Sequence, residues 1–349
     1  MPMSDVIKRL LEQAIVEKLF PGVVVGIVDK SGKKQIIPAG RFTYDDNSSV
    51  VKEDSIFDVA SVTKCIPTAS LALWLIDNGK LSEKDQLIKY LPEFNNSDRD
   101  KVLIKHLLTQ TMKFGFRLSD HKDETPDEIL KMILTAEFNG PPGKEFFYTN
   151  ASSILLGLVI ERIMGDSLDK LGEKYFFEPL EMQRTTFWPL KKFKIEDIVP
   201  TEISAWRGGV IQGEVHDESA FILQKKFVPG NAGLFTTAGD LLKFLEMLID
   251  GDKGYFSEKI IMKMETNQLV DIGASHALGW EVNQPRYMGK SCGKHAFGKT
   301  GFTGCVVVAD REKGKAFVLL SNCKYPKRTD NIGGLDEVRS KIADLVWNS

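Results

Sequence analysis

The chain has 349 residues, 42% of them hydrophobic, and a formal net charge of −2, enough length and apolar content for a large core and two subdomains. That near-neutral balance leaves no basic face for nucleic acid or an anionic membrane surface, and no charge block resembles an interaction tail. No run approaches the ~18 apolar residues of a membrane span, and the first residues lack a basic segment followed by an apolar one, so a cytoplasmic protein is expected.

Residues 6–19 place apolar side chains at Val6, Ile7, Leu10, Leu11, Ala14, Ile15 and Leu19, a helical stripe that should pack on a sheet. Pro21-Gly22 ends it. Residues 23–28 form a β-branched run and residues 35–39 a second strand, with Ser31-Gly32 as the turn of a β-hairpin. Residues 56–59 approach a helix that opens near Ser61 and runs, apolar nearly all round, to Ile76 before closing at Asn78-Gly79. Pro67 falls in the second turn of that helix, where it removes a donor and crowds the carbonyl of Thr63 at a cost of about 3 kcal/mol. A local irregularity is expected there.

Short segments over 81–94 and 102–112 follow, then a helix over 126–138 opened by Thr125. Pro141-Pro142-Gly143 halts it, and residues 151–164 form a strongly apolar helix. Residues 176–232 are loop-rich, and such segments are often site walls. Thr237 and Asp240 make a capping box for a helix over 241–249 ended by Gly251. The pattern then changes to strands over 296–302, 305–310 and 316–321, with a last helix over 335–347. Strands at both ends with helices between predict an α+β fold: one antiparallel sheet built from both termini and flanked by terminal helices, with a mainly helical subdomain inserted. The expected division is 1–58 with 275–349 against 59–274, the active site lying between.

Three polar clusters stand at the edges of these elements. Ser61 and Lys64, at i and i+3 of a helix, share a face, which puts a hydroxyl beside an amine that could take its proton if burial and positive neighbours keep that amine neutral. The same spacing recurs at Ser31/Lys34 and Ser167/Lys170, among others, but only at Ser61 does it open a buried central helix. Tyr148 and Asn150 stand at the mouth of the 151–164 helix, and Lys299-Thr300-Gly301 lies in a strand where Gly301 removes a side chain along a substrate edge. Cys65 is beside Lys64, yet adjacent helix positions point about 100° apart, so a core role is expected. Cys65, Cys292, Cys305 and Cys323 show no Cys-x-x-Cys spacing, predicting reduced thiols. No metal or cofactor is expected.

Taken in order, these clusters resemble the serine β-lactamase and penicillin-binding-protein superfamily, in its class C-like branch with D-aminopeptidases and family VIII-type esterases. The resemblance covers nearly the whole chain, including Ala60-Ser61-Val62-Thr63-Lys64, Gly213-Glu214-Val215-His216-Asp217 and Ala232-Gly233-Leu234-Phe235-Thr236. Class A enzymes carry Ser-Asp-Asn as the second element; Tyr148-Thr149-Asn150 in its place marks the class C-like branch. The resemblance implies the DD-peptidase/β-lactamase-like fold, an acyl-enzyme at Ser61, Lys64 as base partner, and Tyr148 as proton carrier with its pKa lowered by Lys64 and Lys299. It further implies that Asn150 holds Lys64 and the acyl side chain. The N–H groups of Ser61 and Phe302 would form the oxyanion hole, with Lys299, Thr300 and Gly301 lining the substrate edge.

Two departures bear on substrate. Many esterases and peptidases of the branch read His-Thr-Gly-Phe-Thr-Gly where this chain has Lys299-Thr300-Gly301-Phe302-Thr303-Gly304. Where relatives often read Leu-Leu-Thr-His-Thr, Gln110 replaces the histidine, which predicts a remodelled wall above Ser61. His216-Asp217, being adjacent, cannot both serve a relay to one serine, so an anchoring role for their loop is expected. The expected function is hydrolysis of small esters or amides, including D-residue peptides. The alternatives are a true class C-like β-lactamase or DD-carboxypeptidase acting on a β-lactam or peptide, and a non-catalytic ligand-binding module on the same fold. Oligomeric state stays open.

Overall fold

The computed structural model describes residues 1–250, 254–328 and 332–349. Helix α1 (Met3–Val16) leads into strands β1 (Gly22–Asp29) and β2 (Lys34–Gly40). The other strands of the main sheet come from the far end of the chain: β3 (Glu281–Val282), β4 (Phe297–Thr300), β5 (Val306–Asp310) and β6 (Lys315–Ser321). Their order is β2-β1-β6-β5-β4-β3, with each neighbouring pair antiparallel. The sheet therefore joins both termini, as the strand pattern predicts.

Strand β1 reads as a continuous apolar run because both of its faces are covered. Val24 and Val28 face a core shared with helix Ala238–Asp250, whose Leu241, Leu242, Leu245 and Leu248 are buried on them. Val23, Val25 and Ile27 face Ile7, Leu11 and Ala14 of α1 and Ile342, Ala343 and Val346 of the terminal helix Ile332–Trp347. A Cβ at Gly26 would lie 3.0 Å from the side chains of both Leu242 and Val318, so a larger residue would make the packing there give way.

Several boundaries differ from the sequence pattern, each for a local reason. The predicted helix from Ser61 to Ile76 is a tight turn over Ala60–Lys64 and a wide turn over Cys65–Ala69, followed by α2 (Ser70–Asp77). Pro67 forces the break, since the residue before a proline is driven out of helical conformation, and Ile66 stands at φ −120, ψ 107. The helix opened by Thr125 stops at Thr135 and not at Phe138, which enters a bridge with Phe114. Helix Ala238–Asp250 begins three residues before the expected 241, and the Asp240 carboxylate accepts from Arg184 N (2.7 Å) and Thr185 Oγ1 (3.0 Å), so Thr237 caps from one side. Gly251, expected to end that helix, lies outside the described residues. Among the described residues no helix is long and apolar enough to cross a membrane.

Candidate active site

Ser61 is presented by a turn under tight backbone control. Ala60, the residue before it, has φ 46, in the left-handed region that few residues other than glycine enter. The buried Asp58 carboxylate holds it there, accepting from Ala60 N at 2.8 Å and from His216 N at 2.7 Å. Asp58 thus ties the turn to the loop bearing His216, while its carbonyl accepts from Thr303 Oγ1 at 2.7 Å, just beyond β4. Burial pushes the Asp58 carboxyl above its usual range, against the pull of the two N–H donors.

Two polar side chains converge on Ser61. The Tyr148 hydroxyl donates to Ser61 Oγ at 2.7 Å, and Lys64 Nζ does so at 3.2 Å. Lys64 is buried, and its nitrogen also donates to Asn150 Oδ1 (2.8 Å) and to the carbonyl of Asn231 (3.1 Å). Among the described residues no carboxylate pairs with it. Asp217 is one step away, accepting from Asn150 Nδ2 at 2.9 Å and from Asn231 Nδ2 at 3.1 Å. Asn150 therefore spaces the lysine from the carboxylate while both orient it.

Tyr148 is 43% exposed because its ring lines an open cleft, while its hydroxyl end is packed among charges. Lys299 Nζ lies 4.4 Å and Lys64 Nζ 5.1 Å from its ring centre. Burial of that end pushes the phenol up, but the two ammonium groups and the Ser61 bond outweigh it, and the phenol ionises below its ordinary value. Lys299 itself is 3% exposed and ion-paired with Glu281. Burial alone would lower Lys299; the Glu281 carboxylate reverses this and holds it above the usual lysine range. Burial likewise pushes Glu281 up, but Lys299 and the Tyr287 hydroxyl, donating at 2.7 Å, bring it down to about 2.

These groups open into a cleft of about 760 Å³. Phe146, Tyr148, Thr300, Gly301 and Phe302 line it together with Arg286 and Arg328. The structure thus brings together Ser61, Lys64, Tyr148, Asn150, Lys299, Thr300, Gly301 and Phe302, all predicted from the sequence. Gly301 has a further reason for being glycine beside the substrate edge expected of it: a Cβ there would stand 2.3 Å from the carbonyl of Val59, so it permits β4 to close on the Ser61 turn.

A family profile described as Beta-lactamase matches residues 7–337. The chain belongs to the beta-lactamase family. A "Putative D-alanyl-D-alanine carboxypeptidase" of Escherichia coli (strain K12) is 31% identical over 336 residues, covering 84% of this chain and 75% of that protein. An "N-acetylmuramyl-L-alanine amidase" of Bacillus subtilis (strain 168) is 29% identical over 353 residues, 88% of this chain and 78% of the relative. Among solved structures, "EstCE1, a hydrolase with promiscuous acyltransferase activity" superposes with a TM-score of 0.78 at 20% identity, over 99% of this chain and 98% of the other. The D-amino acid amidase of Ochrobactrum anthropi SV3, complexed with D-phenylalanine, gives 0.75 at 18% identity over 99% of each. This chain is a beta-lactamase-family serine hydrolase of α+β fold.

Within that beta-lactamase-family site, His216 and Asp217 point to different partners. His216 is buried with Nε2 2.7 Å from Glu202 Oε2, and Asp217 caps helix Glu218–Leu223 while reaching Asn150. They anchor a loop and form no relay to Ser61. Glu281, Asn231 and Asp58 escape sequence reasoning. Glu281 left one signal, a charge inside the apolar run Ala277-Leu278-Gly279-Trp280-Glu281-Val282, which calls for a buried partner. Asn231 left none, because its backbone carbonyl does the holding.

Proposed function

We propose that Ser61 is the acylated nucleophile of this beta-lactamase-family hydrolase, working between the sheet part, residues 1–58 and 275–349, and the mainly helical part, 59–274. The observation that carries the reading is the convergence of the Tyr148 hydroxyl (2.7 Å) and Lys64 Nζ (3.2 Å) on Ser61 Oγ at the mouth of the cleft. Ser61 Oγ attacks the substrate carbonyl while Lys64, as base partner in its neutral amine form, takes the Ser61 proton across the 3.2 Å contact and returns it when the acyl group leaves. Tyr148 protonates the leaving group and then draws a proton from the water that releases the acyl group. Asn150 steadies Lys64 and the acyl side chain. The N–H groups of Ser61 and Phe302 serve the oxyanion, a kind of contact worth about 10²–10³ in kcat per donor.

The substrate class that fits best is small esters or amides, including amides of D-residues. The Glu281 pairing supports this, because Lys299 already has its counter-charge and gains little from a substrate carboxylate. A DD-carboxypeptidase or true β-lactamase is the second reading, favoured by the lysine at position 299 and by the carboxypeptidase relative. We place the protein in the cytoplasm, a reading supported by four cysteines that are all free thiols.

Intact-protein and peptide mass spectrometry after a fluorophosphonate, then a panel of esters, D-dipeptides and β-lactams, tests the reading. An adduct on Ser61 and its loss in Ser61→Ala are expected, with turnover abolished. Labelling elsewhere, or Ser61→Ala activity within tenfold of wild type, would overturn it.

A further inference from the structure

Gln110 does not form the wall above Ser61 that its place in the sequence suggested. It lies behind Tyr148, buried, and holds φ 55, a conformation a non-glycine residue keeps only where its surroundings over-determine it. Its main-chain carbonyl accepts from Phe147 N at 2.8 Å, and its side-chain Oε1 accepts from Thr149 N at 3.0 Å. One residue therefore takes the N–H groups on both sides of Tyr148. The amide's own orientation is fixed, since Nε2 donates to Ser153 Oγ at 3.3 Å, one turn into helix Asn150–Met164.

Tyr148 needs such a hold. It lies on an irregular approach and not within a helix or strand, with regular structure beginning only at Asn150. Its hydroxyl sits at the far end of a long side chain, so a small backbone rotation at Phe147 or Thr149 is amplified at the contact with Ser61. Thr149 is also the N-cap of that helix, its Oγ1 accepting from Ala151 N at 3.2 Å, and the grip on Thr149 N thereby keeps Tyr148 and Asn150 in one register.

We infer that Gln110 is a positioning residue for the reaction: it clamps the chain on both flanks of Tyr148 and so sets the phenol against Ser61 without touching substrate. The inference rests on the reading of Tyr148 as proton carrier. Gln110→Gly keeps the left-handed backbone and the carbonyl bond to Phe147 and deletes the side-chain grip on Thr149 together with the amide's bond to Ser153. Its kcat should fall on the order of 10- to 100-fold, with KM changed by less than about threefold. Gln110→Glu restores an acceptor of the same reach and should recover most of that loss. In a Tyr148→Phe background, Gln110→Gly should cost less than about threefold more, since the group it positions is gone.

A folded Gln110→Gly with wild-type kcat, or a loss that persists in full in the Tyr148→Phe background, would overturn the clamp. Should Gln110→Gly not fold, Gln110→Asn takes its place: asparagine tolerates the same backbone but is too short to reach Thr149. Wild-type kcat in that variant overturns the clamp equally. Wild-type activity in Tyr148→Phe would sink the parent reading and this one together. A crippled Tyr148→Phe beside silent Gln110 variants sinks the clamp alone.

Discussion

Lys299 and Glu281 set how the Tyr148 phenol titrates, and the pair can be read with one substitution. Lys299→Met removes the nearest positive charge, so the phenol's pKa rises and the acid limb of kcat/KM moves to higher pH. At neutral pH, neutral esters and carboxylate-bearing peptides should both lose activity, on the order of 10²-fold. A loss confined to the anionic substrates, narrowed by salt, would instead make Lys299 a carboxylate receptor. The same variant strands Glu281 as a buried charge, a situation that costs about 3–5 kcal/mol, and adding Glu281→Gln should recover much of the lost thermal stability. In the wild type, Glu281 ionises near 2 in the fold against an ordinary 4.5. Its stabilisation is complete above that ordinary value and drains away as pH falls from about 4.5 to about 2. Acid unfolding of the double variant should show a flatter slope across that window.

At the scale of elements, the site depends on how closely β4 approaches the Ser61 turn. Gly301→Ala would set a methyl group 2.3 Å from the Val59 carbonyl, and backbone on both sides leaves no soft atom to yield. The strand must withdraw, taking Phe302 with it, and kcat should drop on the order of 10²-fold; a variant with wild-type rates would show that the approach is irrelevant to catalysis. The elements carrying Ser61, Lys64 and Lys299 were legible because each couples a polar cluster to an apolar run of definite period. The partners that tune them were not. Glu202 reaches His216 across 14 positions, Asn150 reaches Asp217 across 67, and Asp58 reaches His216 across 158. Glu202, Asp217 and Asp58 each lie in a short or irregular stretch where no periodicity marks a face. Gln110 was visible as a departure from relatives, but only its fold-back onto residues 147–149 reveals which side of Tyr148 it serves.

Across the whole molecule, one continuous core joins the inner face of the sheet to the helical part. It holds Val24 and Val307 from the strands together with Leu71, Leu155 and Leu245 from helices far apart in the chain. Scanning calorimetry should therefore record a single cooperative transition, and two resolved peaks would mean that the parts melt separately. Two buried histidines add an acid sensitivity of their own. Burial pushes His106 and His276 down to about 4 from an ordinary 6.5, so below 6.5 the unfolded chain takes up protons that the fold refuses. Stability should fall as pH drops from about 6.5 to about 4, and His276→Gln should flatten that fall in a series of melting curves.

The order of the sheet also decides how these molecules behave when crowded. A sheet ends in two open edges, and an open edge can recruit any extended chain, including the same segment of a neighbour. Here β2 forms one edge, and Pro38, opposite Val24, has no N–H to offer a newcomer. The opposite edge is β3, two residues long and too short to template a partner. Both rims of this sheet thus carry a feature that hinders the addition of a strand, so a cleft open enough to admit substrate coexists with guarded sheet edges.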